Sequence, residues 1–265
     1  MNNSNSSHQA TPRLVRLDSE NFDKWPCCGI KKAAHCGRRD KLRWLREQAE
    51  AGLIGKLLVA PNGEAAGYVE YVPGESAWRG IAAANYLVIH CVWVFARKYQ
   101  GRGWGRLMVE DCLHEAKLKG KAGVAAVVRD GAWSADRRLF TGLKFEAADT
   151  APPDFQLMAK TFDAGAPKPA FKGDWENKAK QYPKGLTIIR SGQCPHITKF
   201  ADDIAAEAQA LGLEPRVVTL TSARQAQEAP TPYAVFCIMY NGRVIADHQI
   251  SRTRFKTIVK TLDRT

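Results

Sequence analysis

No run of about eighteen consecutive apolar residues occurs anywhere in the 265-residue chain, so no segment carries the signal of a membrane-spanning helix. The opening residues, MNNSNSSHQATPR, have no apolar core. They read as a polar, disordered tail over 1–13 and not as a secretory signal. A long polybasic block is missing as well, although the net charge is +12. Basic residues do not alternate with aromatics in a base-stacking pattern, which argues against a nucleic-acid module. The seven cysteines are odd in number and irregular in spacing, which disfavours a disulfide framework and predicts free thiols in a reducing, cytoplasmic setting. The segment WPCCGIKKAAHC (25–36) gathers Cys27, Cys28, His35 and Cys36, yet its spacing matches no CxxC zinc site, and no metal is expected. No internal repeat is visible.

What remains is an ordinary globular composition, 45% hydrophobic and 25% charged, long enough for one large or two smaller domains. Residues 14–162 alternate strand and helix patterns. KLRWLREQAEAGL (41–53) has helical periodicity; KLLVA (56–60) and AAGYVEYV (65–72) read as strands around the turn PNGE. NYLVIHCVWVF (85–95) is almost continuously apolar, as expected for a central strand covered on both faces. A helix follows from Arg106 to about Lys119, then a buried strand at 123–129, a helix from Trp133 to Leu143 and a strand at 155–162. Residues 163–183, rich in Pro, Gly and Lys, read as a linker. A second unit, 184–265, then runs β-α-β, a Pro-interrupted loop and β-β-α, with Asn241-Gly242 as its hairpin turn and Ser251 capping the last helix.

The chemistry concentrates after the central strand, at YQGRGWGRL. Glycines 101, 103 and 105 precede a helix start, and Arg97, Lys98, Arg102 and Arg106 surround them. Free amides and the dipole at a helix N-terminus make an anion site. The loop lacks G-K-[ST], which excludes a nucleoside-triphosphate loop. A dinucleotide fold is disfavoured because the spacing is G-x-G-x-G, the preceding strand comes late in the unit, and the segment about 20 residues further on is KGKAG, without an acid.

Gln100-Gly101-Arg102-Gly103-Trp104-Gly105 fits the motif [QR]-x-x-G-x-[GA], and with its flanking elements the stretch resembles the GNAT superfamily of N-acetyltransferases. Leu139 to Phe145 resembles the same family's segment after the fifth strand. The resemblance covers 14–162 and implies a mixed sheet flanked by helices, in the α/β (α+β) class. It implies acetyl-CoA as co-substrate. Backbone amides of Arg102 to Arg106 would hold the pyrophosphate, and the strand end at Trp93, Val94 and Phe95 would splay and pair with pantetheine. Trp133 would lie nearby. Phe140 stands where many members have a proton-donating Tyr, which leaves the acid open among neighbours such as Trp133, Ser134 and Cys91. Glu70 and His90 are the candidate bases. Glu75 is a third, in a loop with Trp78 and Arg79 that would border the acceptor pocket.

The second unit resembles a thioredoxin-like β-α-β-β-β-α fold. Gln193-Cys194-Pro195-His196-Ile197 stands at its redox position, with Ile197 replacing the second Cys. Cys194, at a helix N-terminus, is expected to have a lowered pKa. Pro230 or Pro232 would take the position of that fold's cis-proline. The two units together, with EYVPGESAWRG (70–80) and IHCVWV (89–94), look like the YoaP-like family. The expectation is an N-acetyltransferase acting on the amine of a small molecule or peptide. An acyl-CoA sensor without turnover, or a thiol-redox or thiol-ligand-binding protein using Cys194, stands as the alternative.

Overall fold

The computed structural model describes residues 11–131 and 134–262. In chain order the elements are β1 (Arg13–Leu17), α1 (Cys36–Glu50), β2 (Ile54–Val59), β3 (Ala65–Pro73), β4 (Ile81–Ala82), β5 (Tyr86–Val94), α2 (Trp104–Leu118), β6 (Gly123–Val128), α3 (Arg137–Thr141), β7 (Glu146–Ala151), β8 (Phe155–Thr161), β9 (Ala170–Phe171) and α4 (Trp175–Lys180). They continue with β10 (Leu186–Ser191), α5 (Pro195–Ala210), β11 (Pro215–Leu220), α6 (Ala223–Gln227), β12 (Phe236–Tyr240), β13 (Arg243–Ala246) and α7 (Arg252–Lys260).

The large sheet has the order β1-β2-β3-β5-β6-β8-β7, which places β5 at its centre. Its strand pairs are antiparallel except β5 with β6. The near-continuous apolar run of β5 is explained by burial on both faces. Leu87 and Ile89 pack with Met108, Val109 and Leu113 of α2. Tyr86 and Val88 face the other way, into a cluster with Leu42, Trp44 and Leu45 of α1.

That second cluster does not stop at the first unit. It includes Ile189, Cys237 and Met239 from the smaller sheet, whose order is β11-β10-β12-β13. The two sheets therefore share one apolar layer. Trp44 and Trp78 meet edge to face within it, with ring centroids 5.4 Å apart, which adds about 0.5–1.5 kcal/mol beyond simple burial. Helices α1 and α5 cross closely: a Cβ placed on Gly37 would stand 1.7 Å from the Pro195 carbonyl oxygen, so only glycine permits this approach. Thr198 Oγ1 donates to Asp40 Oδ2 at 2.8 Å across the same contact.

Several expectations shift at this level. The first helix starts at Cys36, five residues before the apolar periodicity begins to show. The helix expected over Trp133 to Leu143 is only Arg137–Thr141, started by the Asp136 cap; Trp133 itself lies outside the described residues. Strand β7 carries no alternating pattern because it is a sheet edge on which only Ala151 is buried. Residues 163–183 hold β9 and α4: β9 pairs with β4, and the Trp175 ring covers Gly80. The bonds before Pro230 and Pro232 are trans, and among the described residues the cis peptide is Pro152-Pro153.

Candidate active site

The glycine loop is shaped by its backbone. Gly101 and Gly103 have φ of +73° and +75°, in the left-handed region that a side chain disfavours. Gly103 is the N-cap of α2, so the first-turn amides of Trp104, Gly105 and Arg106 have no partners within the helix. Gly105 differs from both: its φ is not positive, and a Cβ there would meet Leu139 at 3.6 Å, an ordinary contact. The Gln100 side chain donates to the Val94 carbonyl at 3.3 Å and ties the loop to the strand before it. Trp104 turns inward and stacks on Tyr99, so the ring is core and its amide is what faces the loop.

Strands β5 and β6 pair only from Tyr86/Gly123 to Ile89/Ala126, and then part. His90 sits at the parting as the extra residue of a β-bulge, since Glu70 opposes Cys91 and Tyr71 opposes Ile89. Beyond it the ladder alternates. The Phe95 N–H donates to Ala66, which sets Cys91, Trp93 and Phe95 toward β3 and leaves the polar backbone groups of Val92 and Val94 facing the gap. Of the three strand-end residues expected to meet a cofactor, only Val94 turns its backbone to the gap, with its N–H open and its carbonyl taken by Gln100; Val92, not among them, faces the gap too.

A cavity of about 390 Å³ opens at this gap and runs between the two units. The first unit contributes Lys41, Glu70, Arg79, His90, Cys91 and Phe140, and the second contributes Gln193, Cys194, His196 and Tyr233.

Glu70 is completely buried, where a strand carboxylate could equally have been exposed. It forms an ion pair with Lys41, which is just as buried. The Tyr68 hydroxyl donates to Glu70 at 2.7 Å, and Gln193 Nε2 donates to its other oxygen at 2.9 Å. Burial opposes the charge on Lys41, but Glu70 and the neighbouring thiols outweigh it and raise the lysine above its ordinary value. Arg79 donates to the Trp78 carbonyl (2.7 Å), to Gln193 Oε1 (2.6 Å) and to the His90 carbonyl (2.7 Å). Gln193 thus joins the buried acid to the buried guanidinium through one amide.

His90 Nε2 accepts from the Trp78 N–H at 3.0 Å, which places its single proton on Nδ1. Burial, then the charges of Arg79 and Lys41, push its pKa well below the ordinary histidine value. With its only lone pair taken, His90 is a donor in this geometry and not a base. Because the folded state resists protonation while the unfolded chain binds a proton below about pH 6.5, His90 removes stability as pH falls through that range. Chemical unfolding between pH 5 and 8 should show wild type losing up to about 1.4 kcal/mol per pH unit more than His90→Gln below pH 6.5. Parallel curves would refute the neutral, buried assignment.

Residues 16–139 match the acetyltransferase (GNAT) family, and residues 216–257 match the YoaP-like family. The first unit is a GNAT acetyltransferase domain. Acetyl-CoA is the co-substrate of that family. A relative from Bacillus subtilis (strain 168), described as an uncharacterized N-acetyltransferase YoaP, is 29% identical over 252 residues, spanning 94% of this chain and 98% of its own length. Among solved structures, YncA of Salmonella typhimurium with acetyl-CoA is 18% identical, with a TM-score of 0.44 over 60% of this chain and 98% of that one. A GNAT family acetyltransferase of Brucella melitensis in complex with acetyl-CoA is 13% identical, with a TM-score of 0.40 over 60% and 93%.

Within the acetyltransferase domain, Phe140 is buried against Phe145 and lines the cavity, with no proton to give. Ser134 lines it too, but its hydroxyl accepts from the Arg129 N–H and donates toward the Ala135 carbonyl. Glu75 is exposed and braces a turn by accepting from the Asn85 N–H at 2.8 Å, away from the cavity. Cys28 reaches the cavity, and among the described residues no set of three or more His, Cys, Asp or Glu side chains is arranged for a metal. The expectation for Cys194 is reversed. Burial raises its thiol above the ordinary value, and the His196 and Ile197 amides only partly offset this.

Lys41, Val92, Gln193, His196 and Tyr233 are among the cavity residues that were not expected there. Lys41 had a signal, because it sits in the apolar stripe of α1 with Leu42, Trp44, Leu45 and Gln48. A lysine in a buried stripe needs a counter-charge. Gln193 had none.

Proposed function

We propose that this protein transfers the acetyl group of acetyl-CoA to an amine held in the cavity between its two units. The observation that carries this is the parting of β5 from β6 at the bulge of His90, with the cavity opening directly there. The pyrophosphate rests on the amides from Arg102 to Arg106, and pantetheine pairs with the backbone of Val92 and the N–H of Val94. The thioester then reaches the cavity wall formed by Cys91 and Phe140.

Glu70 is the proton acceptor we retain. Its Oε1 accepts one hydrogen bond, from Gln193, which leaves it lone-pair capacity for an amine. The amine attacks the thioester carbon, the C–S bond breaks, and the amine proton passes through Glu70 to the departing sulfur. No dedicated acid is required. A thiol is only weakly basic, with a pKa near 8.5, and the described lining holds two cations, Lys41 and Arg79, against one carboxylate.

The second unit, in this reading, is a thioredoxin-like scaffold used to close the acceptor site and not for redox exchange. Ile197 in place of a second Cys is fully buried, and Cys194 is held protonated. All seven cysteines are free, which supports a cytoplasmic setting.

The test is a mass-spectrometric screen of amines with acetyl-CoA, in which acetylated amine and CoA should appear in equal amounts. Gln193→Ala should lower kcat/KM for the acceptor at least ~10-fold while leaving the acetyl-CoA Kd within ~2-fold, because it disturbs only the acceptor wall. Tight acetyl-CoA binding without product across the screen would instead favour a sensor. Full turnover in Gln193→Ala would remove the second unit from the site.

A further inference from the structure

We infer that the acetyl acceptor is a small amino carboxylate, with its carboxylate bound by Arg79 and its amine presented toward Glu70. This rests on the acetyl-transfer reading of the same cavity.

Arg79 carries the argument. Its side chain is 97% buried, with 3% of its surface exposed, and it lines the cavity. A guanidinium is always charged, and burying one without an anion is costly. Yet among the described residues no carboxylate pairs with it. Its three hydrogen bonds go to the neutral oxygens of Trp78, His90 and Gln193. The nearest acid in the network, Glu70, is already neutralised by Lys41. A guanidinium has five N–H groups. The two that remain are on Nε and Nη2, the nitrogens of one edge of the planar group and the edge suited to grip a carboxylate with two parallel bonds. The Tyr233 ring lies 5.3 Å from the guanidinium carbon and backs it, so the group is fixed in place before any ligand arrives.

His90 is a neighbouring residue of the lining. Its Nδ1–H is buried, and among the described residues it meets no acceptor. Buried donors without partners are uncommon and call for an explanation. The His90 Nδ1 atom has no surface on the cavity, so the N–H groups left free on Arg79 are the donors that a ligand's carboxylate would meet.

The spacing completes the case. Gln193 holds Glu70 with its amide nitrogen and Arg79 with its amide oxygen, so acid and cation stand one amide group apart. A ligand whose ammonium and carboxylate are neighbours matches that pair, whereas a lysine side chain on a protein surface carries no such carboxylate. The cavity volume, about 390 Å³ and shared with the end of the acetyl-pantetheine arm, also suits a small acceptor.

The experiment compares α-amino acids with their amides and their decarboxylated amines, in sets covering small, apolar and polar side chains. Acetylated product is measured by mass spectrometry with wild-type protein. Binding of the same compounds to the CoA-loaded protein is measured by calorimetry. The free acids should be acetylated with kcat/KM ~100-fold or more above their amides and decarboxylated amines, since a site built around a buried polar contact rejects analogues that lack it. Arg79→Gln should erase that preference mainly through KM, and Arg79→Lys should keep part of it. Equal acetylation of amines and acids overturns the inference and leaves the transferase reading standing. Acids that bind in an Arg79-dependent way but are never acetylated are not the acceptor and overturn the inference; if no other amine is acetylated either, the transferase reading falls with it. No binding and no acetylation of any acid overturns the inference. The wild-type comparison decides the matter even if the Arg79 variants do not fold.

Discussion

Glu70→Ala is expected to destabilise the protein by about 3–5 kcal/mol, the cost of leaving a buried charge without its partner. Lys41 and Glu70 are 1% and 0% exposed, so water cannot replace the lost carboxylate. The Tyr68 hydroxyl and the Gln193 amide lose their acceptor in the same step. Lys41→Met alone should be costly for the mirror reason. The double variant Lys41→Met, Glu70→Leu should recover most of the loss, because two apolar side chains of similar volume have no charge to desolvate. Urea unfolding of the four proteins measures these differences. A cost below about 1 kcal/mol for Glu70→Ala would place the pair within reach of solvent and contradict the burial. The isosteric Glu70→Gln separates chemistry from packing. It should lower kcat by about 10²–10⁴ if Glu70 accepts the amine proton. Unchanged kcat in a folded Glu70→Gln protein would remove it from that role.

Gly103→Val is expected to weaken acetyl-CoA binding at least ~100-fold, which is ~2.7 kcal/mol. At φ +75° a β-branched residue is strained, and relief of that strain rotates away the amides that start α2. Each charge-assisted bond lost to a phosphate is worth about 1.5–3 kcal/mol. Gly105→Ala is the internal control. Its added methyl meets Leu139 at an ordinary 3.6 Å and lies within a helix, so affinity should stay within ~3-fold. Calorimetric titration with acetyl-CoA distinguishes the two. If Gly103→Val binds normally, the loop is not the phosphate cradle.

The chain itself made the first unit readable from its local patterns. β5 announced itself as a central strand because burial on both faces leaves no place for polar residues along Leu87, Val88 and Ile89. The glycine loop was legible because backbone conformation is written directly into residue type: φ above zero at 101 and 103 demands glycine. The hairpin at Asn241-Gly242 and the Ser251 cap were visible for the same reason. Elements governed by distant contacts were not. α1 starts at Cys36 and carries Gly37 in its first turn, a residue that disfavours helix and is required only by Pro195 of α5.

The site divides along the same line. Sequence alone pointed to an anion-binding loop, since that motif is contiguous and its geometry local, and the resemblance to the GNAT family implied acetyl-CoA as the co-substrate. It also placed Glu70 and His90 on neighbouring strands as candidates. Only the tertiary structure decided what they are: Glu70 an ion-paired carboxylate, His90 a neutral donor, and Cys194 a thiol kept protonated by burial where its helix N-terminus predicted the opposite. Only the fold brought Gln193 between Glu70 and Arg79, from 123 and 114 residues away. Proton affinity and charge compensation depend on burial and on partners remote in sequence, and those are set when the two sheets close on one another.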